Sequence, residues 1–300
     1  MSARELIYNR AGALRAPWRI VIFCFASAVC IVIASALVGP IVSQFFQLAG
    51  ARGVSNEYWV MCAGMLGGTV FVVRYVDKRP WSDVWLGRDA ARPSLLAIGF
   101  LTGAFAIGVP TAMLILAHWL RDAGSADGSW WAAGLRLTLT LAPAALVEEL
   151  MTRGYILSVL REHWGWFWAV LATSIAFGLL HLANNGANVE SVGLVTFAGF
   201  FLAAVLYSTR SLYAAWMAHF AWNWTMAVVF HTAVSGYPFE SPRYRYVDAG
   251  PNWATGGDWG PEGGIPAGVG MVAGMAFLFA RRGRRDDSNN TALDRATGET

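Results

Sequence analysis

The sequence predicts an all-α polytopic membrane helix bundle. Three observations predict it. Of 300 residues, 56% are hydrophobic and only 14% are charged, whereas a soluble globule carries about 25% charged residues. The apolar residues fall in about eight runs, each long enough to cross a ~30 Å hydrocarbon core at ~1.5 Å per residue, the last only barely. The basic residues gather in alternate connections, which the positive-inside rule converts into an orientation with both termini cytoplasmic. Fifteen tryptophans fit the same class, because Trp is enriched where chains cross the interface.

Taken in order, residues 1–19 are polar and carry Arg4, Arg10, Arg15 and Arg19. The first apolar run is 20–38. Ala34-Ser35-Ala36 has the look of a signal-peptide cleavage site, but the run exceeds the ~7–15 residues of a signal h-region, so an uncleaved first helix is expected. The second run, 58–76, places Gly64 and Gly68 four apart, a spacing that permits close helix contact. A charged loop with Lys78, Arg79, Arg88 and Arg92 leads to the third, 94–120, where Pro110 predicts a kink. Four spans follow with short connections: 136–160, 166–183, 190–208 and 211–233. Residues 234–264 are rich in Gly, Pro and aromatics and are expected to be an ordinary surface loop, a substrate-contacting gate being the alternative. The last span is 265–280, and the polar tail beyond Arg281 is expected to be disordered.

The N-terminal segment, the 77–93 loop, Arg161, Arg210 and the tail hold most of the arginines; the opposite connections hold Arg52, Arg121, Arg243 and Arg245. That asymmetry places the first group in the cytoplasm. The protein is therefore expected to be multi-pass in an inner (plasma) membrane, with the lipid bilayer as its surroundings and no nucleic-acid partner. Cys24, Cys30 and Cys62 all lie in apolar segments and read as small apolar side chains rather than a disulfide framework or thiol metal site.

The chemistry sits where charge is most costly. Glu148 and Glu149 lie near the middle of an apolar span, where each charge costs at least ~2.5 kcal/mol on the most lenient scale. On a helix the two point ~100° apart and cannot share one role. Glu149 and Arg153, four apart, form an ion pair on one face. Glu148 is left to project into a cavity. The next span carries Phe177 and His181 four apart, with Asn184 close to the same face, and the span 211–233 carries His219 and Asn223 four apart. Three helices thus bring Glu, His, and His plus Asn to similar depth, which predicts a polar, water-holding site.

Glu148 and His181 can hold a water and take its proton as it attacks a carbonyl, while His219 and Asn223 offer donors to the oxyanion. No GxSxG or HExxH motif competes with this reading. Zinc stays open, since Glu148, His181 and His219 are legitimate ligands. A proton-coupled transporter is a second class, because Glu/His pairs relay protons, although repeated halves or paired broken helices are not seen. A non-catalytic scaffold or immunity protein is a third.

Glu148-Glu149-x-x-x-Arg153, Phe177-x-x-x-His181 and His219-x-x-x-Asn223 resemble, in order, the three motifs of the CPBP (CAAX protease and bacteriocin-processing, or Abi) family, which includes the Rce1-like type II CAAX prenyl endopeptidases. The resemblance covers residues 137–230. It implies an eight-helix bundle and metal-free intramembrane proteolysis of the glutamate type. Glu148 and His181 would activate the water, His219 and Asn223 would form the oxyanion hole, and Glu149 and Arg153 would support the site. No cofactor is implied. Three regions follow: helices one to three with their loops (1–135), a catalytic core (136–233), and the outer loop, last helix and basic cytoplasmic tail (234–300). The expected partner is a membrane protein or peptide substrate. The Ala/Arg-rich composition suggests a prokaryote, where farnesylated CAAX substrates are not expected; the substrate and oligomeric state are not legible.

Overall fold

The chain folds as the all-α polytopic membrane bundle that composition predicts. The computed structural model describes residues 3–9, 12–49, 51, 54–124, 127–239, 242 and 244–297, with side chains from residue 4 to 284. Arg10, Arg52 and Arg243, which enter the charge asymmetry, lie outside these residues. The helices are α1 Ala3–Ile7, α2 Ala16–Leu37, α3 Gly39–Leu48, α4 Glu57–Phe71, α5 Pro93–Leu116, α6 Trp130–Glu149, α7 Tyr155–Leu180, α8 Val189–Thr209, α9 Leu212–Trp224, α10 Asn252–Thr255 and α11 Ile265–Thr297. Among the described residues, five continuous helical segments are long and apolar enough to cross a membrane by length and composition alone. One of these, Trp130–Leu180, contains two helices, because Gly165 breaks it with φ 78 and ψ 175. That positive φ is open to glycine at no steric cost, and it turns the chain where the sequence places the short connection near Arg161.

α2 packs on α4, α5 on α9, α7 on α8, and α11 on α5 and α8. Small residues set the closest of these contacts, as expected where lipid removes the hydrophobic drive between helices. A Cβ on Gly64 would strike the Ile31 backbone and one on Gly68 the Ser27 backbone, so that spacing is a real packing face between α2 and α4. A second pair does the same for the site helix: a Cβ on Gly99 or Gly103 would fall on the carbonyl of Ala214 or Ala218 in α9.

Proline adjusts α6 rather than ending it. Pro143 has no N–H for the Leu139 carbonyl four residues back, and Trp59 Nε1 donates to that carbonyl instead at 2.9 Å. Trp216 Nε1 donates to the Ala142 carbonyl at 2.7 Å. These bonds lock α4 and α9 onto α6 about two turns before Glu148. α5 likewise runs through Pro110 to Leu116.

Two expectations are corrected, and one pairing is added. α11 continues to Thr297 instead of ending near Ala280, because extending a formed helix avoids the cost of nucleation. Residues 120–122 pair antiparallel with 246–248, Leu120 opposite Asp248, so two connections join as a short ribbon. The described part of 234–264 is not an ordinary surface loop: residues 252–263 fold into short helical turns, with Trp259 wholly buried and Glu262 6% exposed. At the other end of the bundle, Arg19, Asp77, Arg79 and Glu162 form one ion-pair cluster spanning α2, the loop after α4, and α7.

Candidate active site

The site is built where α6, α7 and α9 meet. After Glu149 the helix widens into a π-helical turn, Leu150–Gly154, a feature frequent at functional sites. The Glu149–Arg153 pair that i,i+4 spacing predicts forms there at 3.0 Å, with both side chains fully buried. Arg153 also donates to Thr152 Oγ1 at 2.7 Å, and Thr152 in turn donates to the Glu148 carbonyl at 2.6 Å. Phe177 closes the other side. The Arg153 Cζ lies 4.1 Å from the Phe177 ring centre, and the same ring packs at 4.8 Å from His181 and 5.8 Å from His219. Phe177 thus packs between Arg153 and His181 and lies edge-on to His219.

His181 stands at the C-cap of α7, since the helix ends at Leu180. The sequence reading places it inside a longer span; helix termination corrects this. Its Nδ1 lies 2.8 Å from the Phe177 carbonyl. A carbonyl only accepts, so Nδ1 carries the proton, and in the neutral ring Nε2 is left as the acceptor. That Nε2 is 3.8 Å from Glu148 Oε2.

His219, on α9, is buried and shows the opposite face of the same carboxylate pair. Its Nδ1 lies 2.9 Å from Glu149 Oε1, the oxygen that also receives Arg153, and its Nε2 lies 3.9 Å from Glu148 Oε2. Glu148 Oε2 is buried and makes no hydrogen bond among the described residues. The Glu148 side chain keeps 30% exposure. Glu148 therefore does project apart from the Glu149–Arg153 pair, toward both ring nitrogens, at separations too long for direct bonds and short enough for a shared water.

A cavity of about 30 Å³, enough for a water, lies beside the histidines and is lined by Phe177, His181, His219, Trp222, Asn223 and Glu262 among others. Asn223 thus sits with His219 as expected. Glu148 is not part of this wall and meets the site through the two Nε2 atoms. Asn184 is not at the site in the way helical spacing suggests. It lies in the turn after α7 and donates to the Ser235 carbonyl at 3.0 Å, because the helix that would have carried it beside His181 has already ended.

Sequence reasoning missed Glu262. Its Oε1 accepts from the Ser235 backbone N–H at 2.6 Å and the Ser235 hydroxyl at 2.7 Å, and its Oε2 accepts from Trp222 Nε1 at 2.7 Å. The chain Asn184–Ser235–Glu262–Trp222 ties the end of α7, the outer loop and α9 together beside Asn223. The available signal was a carboxylate among Trp259, Gly260, Pro261 and two further glycines, immediately before an apolar run. No set of three or more His, Cys, Asp or Glu among the described residues has a metal-holding arrangement.

Residues 129–225 match the family model described as Type II CAAX prenyl endopeptidase Rce1-like. The chain carries an Rce1-like region. It spans Glu148 through Asn223 and stops short of Glu262. No curated protein and no solved structure matches the chain. The Rce1-like match supports a CAAX-type protease in general, a multi-pass membrane protein acting on a membrane-associated protein.

Proposed function

We propose that the protein is an intramembrane glutamic endopeptidase that hydrolyses a peptide bond of a membrane-associated protein or peptide with a water activated by Glu148 and His181. The observation that carries this reading is the convergence of Glu148 Oε2 with two imidazole Nε2 atoms at 3.8 and 3.9 Å. A water placed there donates to Glu148 Oε2 and to His181 Nε2, which is an acceptor because His181 Nδ1 donates to the Phe177 carbonyl. As the water oxygen attacks the carbonyl carbon, its proton passes to this Glu/His pair and is later delivered to the leaving amine. The negative charge that develops on the carbonyl oxygen is met by Asn223 Nδ2 and by His219 Nε2. Because His219 Nδ1 already donates to Glu149, Nε2 donates only when the ring holds both protons.

Glu149 and Arg153 support the site rather than react. Their mutual pairing holds the oxygen that orients His219, and Phe177 holds the spacing between them and His181. Asn184 and Glu262 act further out, by fixing the outer loop against α9. Residues 136–233 form the catalytic core in this reading, 1–135 and 234–300 its surround. In this reading the enzyme crosses the plasma membrane about eight times, with the basic connections cytoplasmic. The mechanism needs no metal.

Two other classes predict different outcomes: a scaffold or bacteriocin-immunity protein cuts nothing, and a proton-coupled transporter carries flux through the same Glu/His pair. The test compares membrane-protein termini in cells carrying wild type or Glu148→Ala. Termini made only by the wild type establish proteolysis and name the substrate. Identical termini, with both proteins folded and equally abundant, reject the protease reading.

A further inference from the structure

At the basic end of the bundle three arginines meet over aromatic rings. Arg161, just before the Gly165 break, has its Cζ 5.1 Å from the Trp85 ring centre and 5.4 Å from that of Trp166. Arg210 caps α8 in the left-handed conformation, φ 54, and lies 5.0 Å from Trp166 and 4.9 Å from Tyr207. Arg282 lies 4.3 Å from Tyr207 and donates Nη1 to the Tyr207 carbonyl at 2.8 Å. Arg210 therefore shares one ring with each of its neighbours.

Among the described residues, no acid pairs with Arg161 or Arg210. Glu162, next in sequence to Arg161, is engaged by Arg19 and Arg79. Burial, and then the adjacent Arg282 and Arg161 charges, hold Arg210 below the ordinary arginine range against an opposing effect of Tyr207. Like charges kept this close stabilise an anion placed among them.

We propose that Arg161, Arg210 and Arg282 form a binding site for the phosphate of an anionic membrane phospholipid. A guanidinium offers a planar fork that matches phosphate oxygens. The ring faces beneath hold the side chains flat, so less freedom is lost when the fork is filled. Position selects a lipid over a dissolved anion. Arg161 and Arg210 sit where membrane helices end and Arg282 follows the apolar part of α11. Trp85, Trp166 and Tyr207 are the residue types that mark headgroup level. A zwitterionic choline lipid would bring its own cation into the cluster and is disfavoured. Such a lipid clamps the break in α7, the C-terminus of α8 and the middle of α11 together, on the side away from His181.

The test uses the full chain in detergent, titrated with phosphatidylglycerol or phosphatidylcholine, with bound lipid counted by native mass spectrometry. Wild type is expected to take phosphatidylglycerol in preference to phosphatidylcholine. The double variant Arg161→Gln/Arg210→Gln is expected to bind phosphatidylglycerol roughly thirtyfold more weakly, at ~1 kcal/mol per arginine, with phosphatidylcholine binding unchanged. A control pair, Arg4→Gln/Arg88→Gln, removes the same charge from exposed sites elsewhere and is expected to change little. Equal loss in both pairs, no loss in either, or no preference for phosphatidylglycerol overturns the proposal. Displacement of the lipid by an equal concentration of inorganic phosphate overturns the assignment to a lipid. If the double variant does not fold, Arg210→Gln alone carries the test.

Discussion

His219 lies with its Nδ1 2.9 Å from Glu149 Oε1, the same oxygen that holds Arg153 at 3.0 Å. One buried carboxylate oxygen therefore fixes a histidine on α9 and an arginine four residues along its own helix. Removing the carboxylate strands a fully buried guanidinium. Glu149→Ala is expected to cost about 3–5 kcal/mol, the usual penalty for breaking a buried pair from one side. Thermal unfolding in detergent measures it, and Glu149→Ala combined with Arg153→Met should recover part of the loss. An unchanged melting temperature in Glu149→Ala would remove the pair from the account.

The two-proton requirement on His219 sets a pH signature. Glu148 receives the water proton as a carboxylate. His219 must hold both protons to donate from Nε2, so activity falls as pH passes through the loss of its second proton. The kcat profile is therefore expected to show an alkaline limb. His219→Gln supplies an amide donor that does not titrate, and its alkaline limb should vanish along with a drop in kcat. An unaltered alkaline limb in that variant assigns the limb to another group.

Asn223 lines the cavity beside His219. Asn223→Ala should lower kcat by ~10²–10³, the scale of one lost oxyanion donor, with KM little changed. A change confined to KM would make it a binding residue instead.

Glu262 accepts three hydrogen bonds that close the outer loop on α9. Glu262→Ala leaves Trp222 and Ser235 without their partner, at about 1–3 kcal/mol for each buried group left unsatisfied. Limited proteolysis should then cut within 234–264 faster than in wild type. Proteolysis at the wild-type rate would show that the latch does not hold the loop.

Chelation separates the metal-free mechanism from a zinc one. Activity is expected to survive EDTA; loss that zinc restores would instead make Glu148, His181 and His219 ligands.

Much of the site was legible because helical periodicity carries it. The four-residue spacings predicted the Glu149–Arg153 pair and the separation of Glu148 from it, and matched depth brought Glu148, His181 and His219 together. What was not legible depends on contacts distant in sequence or on where a helix stops. The Glu149–His219 bond joins residues seventy apart. Helix termination at Leu180 makes His181 a cap and carries Asn184 to Ser235. The π-helical turn after Glu149 has no composition signal. The 234–264 segment lacks periodicity, so its burial depends on Trp259 packing near His181 and on Glu262 accepting from Trp222 on α9. The GxxxG face on α2 and α4 was visible, whereas Gly99 and Gly103 were passed over inside a uniformly apolar run.

The central claim is that Glu148 receives the proton of the attacking water. The most direct measurement is single-turnover cleavage by Glu148→Gln of a substrate found by the terminus comparison, in bilayers, beside a melting curve. Gln keeps the shape and loses the base. The account predicts a rate at least ~10² lower, the floor for a lost general base, with melting unchanged. Cleavage within twofold of wild type would contradict it.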